Sequence, residues 1–486
     1  MNQDNSSIQF LLGNVLQNIT FGPDSILQPC SSILDYLRTH RQLKGSKEGC
    51  REGDCGACTI VVGSLDNEGQ MQYNALNSCL IMLPFLHGKQ LICIEHIAIN
   101  ENSRLRLHPV QQLIIDKFGS QCGFCTPGVI MSLFGIYKST EKPKATELKQ
   151  ILTGNLCRCT GYKPIFEAAL DVIDLVNHDH FSEDEANTIE QLQRIKNSNL
   201  HLKTNNQEYF RPSNFNDALL IRKSHPDIKT AFGFTDAAHQ ILDKPENRTS
   251  ILDLSGSNHN QLLENKDHWV LQSGITFTEL RKYGLKIPLI KELTDVFASL
   301  QIRNMASLAG NLASASPVGD SIPVLMALNA KVRLASAHQN REMYVRDFIT
   351  GYRQTQLKSN ELIDNIIIPK PSVNQYFRYF KTSRRHDVDI SSVSLAAMID
   401  LDGGIIKDIR IFFGGMAATT LMAVKTSESL QGKPFSKDNF TIAESMIGKD
   451  FSPISDARSS EKGRILMARG LMSKLYESII PKTDHE

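Results

Sequence analysis

Four cysteines near the N-terminus have a spacing that could hold a metal. Cys50, Cys55 and Cys58 lie within the stretch GCREGDCGACTI, residues 49–60, and Cys79 follows in a later segment. Three chemistries are open to such a group: metal binding, disulfide formation and catalysis by a thiol. A single catalytic thiol would give no reason for three cysteines in one loop.

The spacing favours an iron–sulfur cluster over the other possibilities. C-x4-C-x2-C with a distant fourth cysteine is the ligand spacing of plant-type [2Fe–2S] sites. Gly49, Gly53 and Gly56 allow the positive φ angles with which a loop can aim N–H groups at sulfur. A secreted disulfide framework would suit a short chain with a signal peptide, and neither feature is seen in these 486 residues. Structural zinc stays open as the alternative, although zinc sites usually pair two short hooks of cysteines.

A second group of four cysteines comes in two pairs, each just before a predicted helix. QCGFCTPG contains Cys122 and Cys125, and NLCRCTGY contains Cys157 and Cys159. A proline shortly after each pair marks a helix start, where the positive end of the helix dipole favours an anionic cluster. With further helices predicted at HPVQQLIIDKF and TELKQIL, the pattern indicates four helices around four thiolates. On spacing alone, zinc is open for this group too.

Composition limits what the rest of the chain can do. The net charge of +1, without a stripe of Lys and Arg, argues against nucleic-acid binding. The apolar runs are too short for a membrane span, and we therefore expect a cytoplasmic protein. The two remaining cysteines, Cys30 and Cys93, are predicted to be small buried side chains.

From about residue 209 the sequence alternates short apolar strands with turns and helices. No G-x-G-x-x-G follows a strand, so a Rossmann dinucleotide site is unsupported. The stretch QIRNMASLAGNLASASPVGDSIP, residues 301–323, is crowded with small residues that would let a ligand approach the backbone. Tight helix packing explains the same composition equally well.

These motifs together resemble the molybdenum hydroxylases, the family of xanthine dehydrogenase and its relatives. The two cysteine groups resemble its paired [2Fe–2S] domains, and TAFGFTDA and residues 301–323 are similar to its two flavin segments. The resemblance implies a multidomain α+β chain with four parts: a β-grasp plant-type ferredoxin domain (1–95), a four-helix [2Fe–2S] domain (96–177), a non-Rossmann α/β FAD domain of the vanillyl-alcohol-oxidase/PCMH type (207–371), and a C-terminal α+β flavoprotein cap domain (372–486). Residues 178–206 are predicted to be a surface linker.

The resemblance also assigns ligands residue by residue. It places metal ligands at all eight cysteines of the two groups. It places FAD contacts at Thr230, Gly233, Phe234, Thr235 and Asp236, at Ser307, Gly310, Asn311 and Asp320, and at Phe297, Ile363 and Lys381. Phe234 stands where the family usually has a small residue or Asn. A positive φ would strain this residue, unless its side chain simply points outward.

The function implied is electron transfer within an oxidoreductase. Electrons from a molybdenum centre, whose molybdopterin is carried by a large partner subunit, would pass through two [2Fe–2S] clusters to FAD and then to NAD. The expected assembly is a heterotetramer. Xanthine is the leading substrate of the partner, and aldehydes or other N-heterocycles are the alternative. A zinc-stabilised scaffold without catalysis and a standalone NADH-linked reductase are hypotheses of other classes.

Overall fold

The N-terminal sheet follows from alternating apolar residues in its strands. In a computed structural model, which describes residues 6–101, 104–195, 198–242, 249–285, 287–386 and 388–479, Ile8 and Phe10 point into a closed core. Across the sheet, the strands are Val15–Thr20, Ser7–Leu12, Gln90–Ile92, Thr59–Leu65 and Met71–Asn77. Ser7–Leu12 runs parallel to Gln90–Ile92, and the other neighbours are antiparallel. Helical segments Ile33–Asp35 and Tyr36–His40 bury Leu34 and Leu37 in the same core, as a β-grasp domain requires.

The second part of the chain is the predicted set of four helices. A helical turn, Ile94–Ile97, and a small hairpin of Ile99–Glu101 with Arg104–Arg106 lead into it. The four helices are Pro109–Asp116, Thr126–Lys138, Ala145–Leu152 and Lys163–Asp174. Thr126–Lys138 is buried on nearly all sides because its apolar residues, such as Leu133 and Phe134, are not confined to one face. The four-helix prediction is therefore confirmed.

The segment predicted as a surface linker is instead largely helical and partly buried. It forms the helices His180–Glu183 and Glu185–Arg194. Its many charged residues obscure a sparse apolar pattern in the sequence. The residues of this segment that reach hydrophobic cores are Phe181, Leu192, Ile195, Leu200 and Leu202. Asp179 begins the first helix by accepting a hydrogen bond from the Ser182 N–H.

A four-stranded sheet completes the first of two compact units, which contains residues 1–221, 227–258 and 299–306. Its strands, in order, are Lys229–Ala231, Thr249–Asp253, Gln207–Arg211 and Leu200–Lys203. The helical segments Phe215–Ser224, Ala237–Leu242, Leu254–Gly256 and Leu300–Arg303 accompany it. Tyr209 and Phe234 join the hydrophobic core that also fills the N-terminal sheet, so the two sheets share one interior.

The second compact unit contains residues 222–226, 259–298 and 307–486. Its first sheet is antiparallel, with strands Leu262–Glu264, His268–Gln272, Leu362–Pro369, Lys331–Ala335 and Asn340–Tyr344. The associated elements are Phe277–Lys282, Tyr283–Leu285, Pro288–Thr294, Leu308–Ala313, Ser321–Ala327, Val345–Phe348, and a hairpin of Ile349–Gly351 with Gln354–Thr355. The short helices and turns between the strands carry most of the predicted flavin residues of this unit.

The C-terminal part is an antiparallel sheet covered by helices. Its strands are Gln375–Thr382, Val393–Asp402, Ile405–Gly414 and Leu421–Met422, and its helices are Val424–Leu430, Lys437–Asp450 and Glu461–Ile479. Apolar residues at every second strand position, such as Leu395 and Ala397, pack with Phe440 and Met472 from the helices. This is the α+β cap domain that the sequence predicts. Over the stretches that the structure describes, no helix has both the length and the apolar character needed to cross a bilayer.

Candidate redox centres

The first cysteine group lies in a loop that brings its sulfur atoms together in pairs. The Sγ atoms of Cys58 and Cys79 are 3.3 Å apart, and the thiols of Cys50 and Cys55 are close enough to shift each other's pKa. The backbone N–H groups of Glu52 and Cys55 donate to Cys50 Sγ at 3.3 and 3.4 Å. The loop therefore combines candidate sulfur ligands with amide donors to sulfur.

The glycines of this loop act in two different ways. Gly53 and Gly56 have φ angles of +76° and +68°, as predicted. Gly49 is not among the positive-φ residues, so the prediction for it is wrong. It is needed for space instead, because a Cβ at this position would lie 2.8 Å from Cys55 Sγ.

Pairing shifts the pKa values of these thiols in opposite directions. The hydrogen bond with Cys55 lowers the pKa of Cys50 to about 5, against the effect of burial, and it raises the pKa of Cys55. The contact between Cys58 and Cys79 likewise lowers the pKa of Cys58 and raises that of Cys79. Each pair thus contains one thiol that readily becomes the thiolate that iron binding requires.

The second cysteine group is also arranged in pairs, at the starts of two helices. Cys125 and Cys157 are close enough to shift each other's pKa, and Cys122 raises the pKa of Cys159. The helix after the first pair begins at Thr126, with Cys125 as its N-cap and Pro127 in its first turn. Burial raises the pKa of Cys125 to about 12. Burial acts on Cys157 too, but hydrogen bonds from Thr160 and from the Cys159 backbone, together with the neighbouring Cys125, lower the pKa of that thiol overall.

Pairs of sulfur atoms fit a two-iron cluster, in which each iron takes two protein ligands. Within the described residues, no group of three or more His, Cys, Asp or Glu side chains surrounds a single ion position. All ten cysteines lie in the described part and are free thiols. Cys30 and Cys93 are buried as predicted, and burial raises the pKa of Cys30 to about 12.

The first group of predicted flavin residues lies in a turn of the first compact unit. Thr230 is exposed on strand Lys229–Ala231. In the following turn Thr235 is half-buried and Asp236 is exposed. Gly233 has φ +66°, and a Cβ on it would lie 2.0 Å from the carbonyl oxygen of Met305. The close approach that this glycine allows is therefore to the chain itself.

Phe234 has a positive φ angle, and its side chain points inward rather than outward. Its φ is +60°, and its side chain is only 1% exposed. The ring stacks on Tyr209, with centroids 6.4 Å apart and planes at 19°. The outward-pointing alternative is wrong, because the aromatic ring is part of the shared core.

The second group of predicted flavin residues lies in the second compact unit. Ser307 is the N-cap of helix Leu308–Ala313 and accepts a hydrogen bond from Gly310 N–H at 3.0 Å. Asn311 Oδ1 accepts one from the Ser321 hydroxyl at 2.6 Å. Gly310 is exposed and Asn311 half-buried, so this turn presents polar groups and backbone at the surface, as a bound polar ligand would need.

Asp320 and Lys381 are brought into direct contact. Lys381 Nζ donates to Asp320 Oδ2 at 2.7 Å and to the carbonyl oxygen of Val296 at 3.1 Å. Asp320 also accepts from the hydroxyls of Tyr379, at 3.0 Å, and Ser391. Sequence reasoning missed Tyr379 and Ser391, because partners 59 and 71 residues away leave no local signal.

The remaining two predicted residues are buried. Phe297 stacks on Phe277 with centroids 3.6 Å apart and planes at 12°. Ile363 is buried on strand Leu362–Pro369. Neither position contradicts a contact with a flavin, but each already has protein neighbours.

Comparison with known proteins agrees with this geometry. Residues 25–83 match the 2Fe-2S iron-sulfur cluster binding domain and residues 93–170 the [2Fe-2S] binding domain. Residues 202–371 match the FAD binding domain in molybdopterin dehydrogenase, and residues 378–479 the CO dehydrogenase flavoprotein C-terminal domain. The chain belongs to the molybdenum hydroxylase family. Its matches comprise two iron–sulfur domains, a FAD domain and a flavoprotein C-terminal domain.

Relatives within the molybdenum hydroxylase family cover almost all of this chain. It is 29% identical to a xanthine dehydrogenase of Drosophila pseudoobscura pseudoobscura over 93% of this chain and 38% of the relative. It is 30% identical to xanthine dehydrogenase 1 of Arabidopsis thaliana over 88% and 36%. Reconstituted CO dehydrogenase from Oligotropha carboxidovorans shares the fold, at 24% identity and a TM-score of 0.51, over 55% of this chain and 94% of that one. The chain thus spans well under half the length of the xanthine dehydrogenases that it matches.

Proposed function

We propose that this chain is the iron–sulfur and flavin subunit of a xanthine dehydrogenase. In that role it receives electrons from a molybdenum centre on a partner subunit, which oxidises hypoxanthine and xanthine to urate, and delivers them to NAD. The observation that carries the proposal is the presence of two loops of paired cysteine sulfurs ahead of a flavin domain in one chain. Similarity to relatives named xanthine dehydrogenase supports the choice of substrate.

The eight cysteines are the proposed ligands of two [2Fe–2S] clusters. The pairs Cys50 with Cys55 and Cys58 with Cys79 would each take one iron of the first cluster, and the remaining four cysteines would hold the second. Such clusters carry one electron at a time, whereas a flavin collects two before a hydride is transferred. Cys58 and Cys79 are almost fully buried, so the protein excludes water from that side of the first cluster.

The proposed flavin contacts are the twelve residues that the resemblance assigns. In the first turn, Thr235 and Asp236 would offer polar groups to the cofactor. In the second segment, Gly310 and Asn311 would do the same. The Lys381–Asp320 pair would hold a positive charge in place beside buried aromatic residues, where it can stabilise negative charge on a reduced ring.

The surface beside the second cysteine group is the proposed docking face for the molybdenum-bearing large subunit. Cys122 and Cys159 are exposed, as are Phe118, at 83%, and Tyr162. Phe118 ends helix Pro109–Asp116 with φ +57°, a position where glycine is usual. An aromatic residue that is both strained and exposed destabilises the isolated chain. Such residues are typical of a surface that binds a partner protein. Because electrons would enter at the exposed cysteines, the expected occupant of this face is the molybdenum-bearing subunit.

The proposal is tested on the native protein purified anaerobically with whatever binds it. We expect roughly four iron atoms per chain, FAD, two reduced-state [2Fe–2S] EPR signals and xanthine-dependent reduction of NAD. Turnover of an aldehyde or another N-heterocycle, but not xanthine, would assign the chain to a different hydroxylase. Zinc in place of iron would instead support a zinc-stabilised scaffold without electron transfer. NADH oxidation by a protein that has no molybdenum-bearing partner would favour a standalone reductase.

A further inference from the structure

One buried side chain connects the two cysteine loops. Gln301, on the short helix Leu300–Arg303, is 1% exposed and belongs to the same compact unit as both loops. Its Nε2 donates to Ser132 Oγ and to Asn155 Oδ1, each at 3.1 Å. Ser132 lies on the helix that follows Cys125, and Asn155 precedes Cys157 by two residues. The amide of Gln301 therefore contacts the helix that follows the first cysteine pair and the segment that precedes the second pair.

The same network reaches the first loop. Asn155 Nδ2 donates to the carbonyl oxygen of Gly56 at 3.2 Å, and the Thr59 hydroxyl donates to the same oxygen at 2.6 Å. Gln301 Nε2 lies 3.5 Å from Thr59 Oγ1. Gly56 separates Cys55 from Cys58, so the network begins between two predicted ligands of the other cluster.

The two loops are in backbone contact at this point. Leu156 N–H donates to the carbonyl oxygen of Cys55 at 2.9 Å. A Cβ on Gly56 would lie 2.0 Å from the carbonyl oxygen of Gly154, and a Cβ on Gly128 would lie 2.2 Å from that of Gly56. A Cβ on Gly154 would meet Gln301 Oε1 at 2.2 Å. Gln301 thus closes a junction at which Gly56, Gly128 and Gly154 have no room for a side chain.

Stability alone does not explain why a glutamine occupies this position. Its Oε1 is buried and has no hydrogen-bond partner among the residues that the structure describes, and an unpaired buried acceptor destabilises a fold. Neighbours on the same short segment extend the junction. Ile302 Cδ1 packs 3.0 Å from the Cβ position of Gly53, and the Met305 carbonyl supports Gly233 of the first flavin turn.

We propose that Gln301 is a positioning residue for electron transfer. Its carboxamide fixes the separation and relative orientation of the two cluster loops, and its helix ties them to the first flavin turn. The eight cysteines would hold the two clusters, and a single electron would pass from one cluster to the other without any bond being broken. This inference rests on the proposed function, because it needs both clusters to be present.

The test compares Gln301→Leu with Gln90→Leu in the complete protein. Gln90 is a matched control, since it is fully buried, donates through Nε2 to Gly13 O and Asn14 Oδ1 at 3.0 Å, and has an unpaired Oε1 in the described structure. In Gln301→Leu, Ser132 and Asn155 keep their mutual hydrogen bond of 2.7 Å, so the chain is expected to fold. If the Gln301→Leu protein does not fold, Gln301→Met, whose side chain has a similar length, is used instead.

Three readouts are measured: iron and FAD content, magnetic splitting between the two reduced clusters in EPR spectra, and the rate of electron transfer to the flavin after flash reduction. We expect Gln301→Leu to keep its cofactors but to lose splitting and to slow transfer by roughly three- to tenfold, the effect of a small misplacement. Gln90→Leu should change neither. Unchanged splitting and rate in Gln301→Leu would overturn this inference alone, whereas a wild-type protein without two [2Fe–2S] signals would overturn the proposed function.

Discussion

Phe234 holds a large aromatic ring in the core with a backbone conformation that disfavours any side chain. Replacing it by alanine removes the ring and should cost about 3–5 kcal/mol of unfolding free energy. Glycine removes the same ring but also relieves the positive φ, which costs other residues roughly 1–2 kcal/mol. We therefore expect Phe234→Gly to be about 1 kcal/mol more stable than Phe234→Ala in urea unfolding. Equal or lower stability of the glycine variant would mean that the turn is not strained.

At the scale of single residues, the sequence predicts ligand types better than it predicts their neighbours. The eight cysteines stand out by their spacing as candidate metal ligands, and the structure brings Cys58 Sγ within 3.3 Å of Cys79 Sγ. Gln301 and Tyr379 are invisible in the sequence, because each gains its role from residues far along the chain. Gly49 shows a further limit, because the sequence does not distinguish a glycine that is required for space from one that is required for its φ angle.

At the scale of elements, the contact between the two cysteine loops depends on glycines without side chains. Gly56→Ala combines an unfavourable positive φ with a Cβ 2.0 Å from the Gly154 carbonyl oxygen and 2.7 Å from Asn155 Nδ2. Gly88→Ala is the matched control, because Gly88 has φ +74° in the same domain and nothing within 4 Å of its Cβ position. The control should lose about 1–2 kcal/mol. Gly56→Ala should lose a further 1–3 kcal/mol or so, and bound iron as well.

Urea unfolding and iron content measure this difference. If both variants lose the same stability and keep their iron, the two loops are not packed against each other as described, and the junction at Gly56 has no role in holding the clusters.

The elements themselves could be predicted where local signals are strong. Proline and apolar periodicity predict the four helices of the second domain, and the fold class is confirmed. The supposed linker was predicted wrongly because its charged residues obscure a sparse apolar pattern, and only the structure shows that Phe181 packs in the core of the helical domain and Leu192 beside Leu11 and Met71. Lys138 is also buried, and its Nζ donates to Asp179 Oδ1 at 3.1 Å. The two residues are 41 positions apart, so no local sequence pattern predicts this contact.

At the scale of the whole molecule, the exposed aromatic residue beside the second cysteine group makes the partner proposal testable. Phe118→Asp adds a charge to the proposed docking face, and aspartate tolerates the positive φ found there, so folding should be preserved. Val176→Asp is the control, because Val176 is 81% exposed and lies outside the cysteine loops of the same domain. We expect Phe118→Asp to reduce co-purification of the molybdenum-bearing subunit and xanthine-dependent NAD reduction together, with the iron, the FAD and the NADH oxidation of the isolated chain unchanged. Because loss of docking interrupts only the entry of electrons, an isolated defect in NADH oxidation would point to the flavin instead, and equal co-purification of both variants would remove Phe118 from the interface.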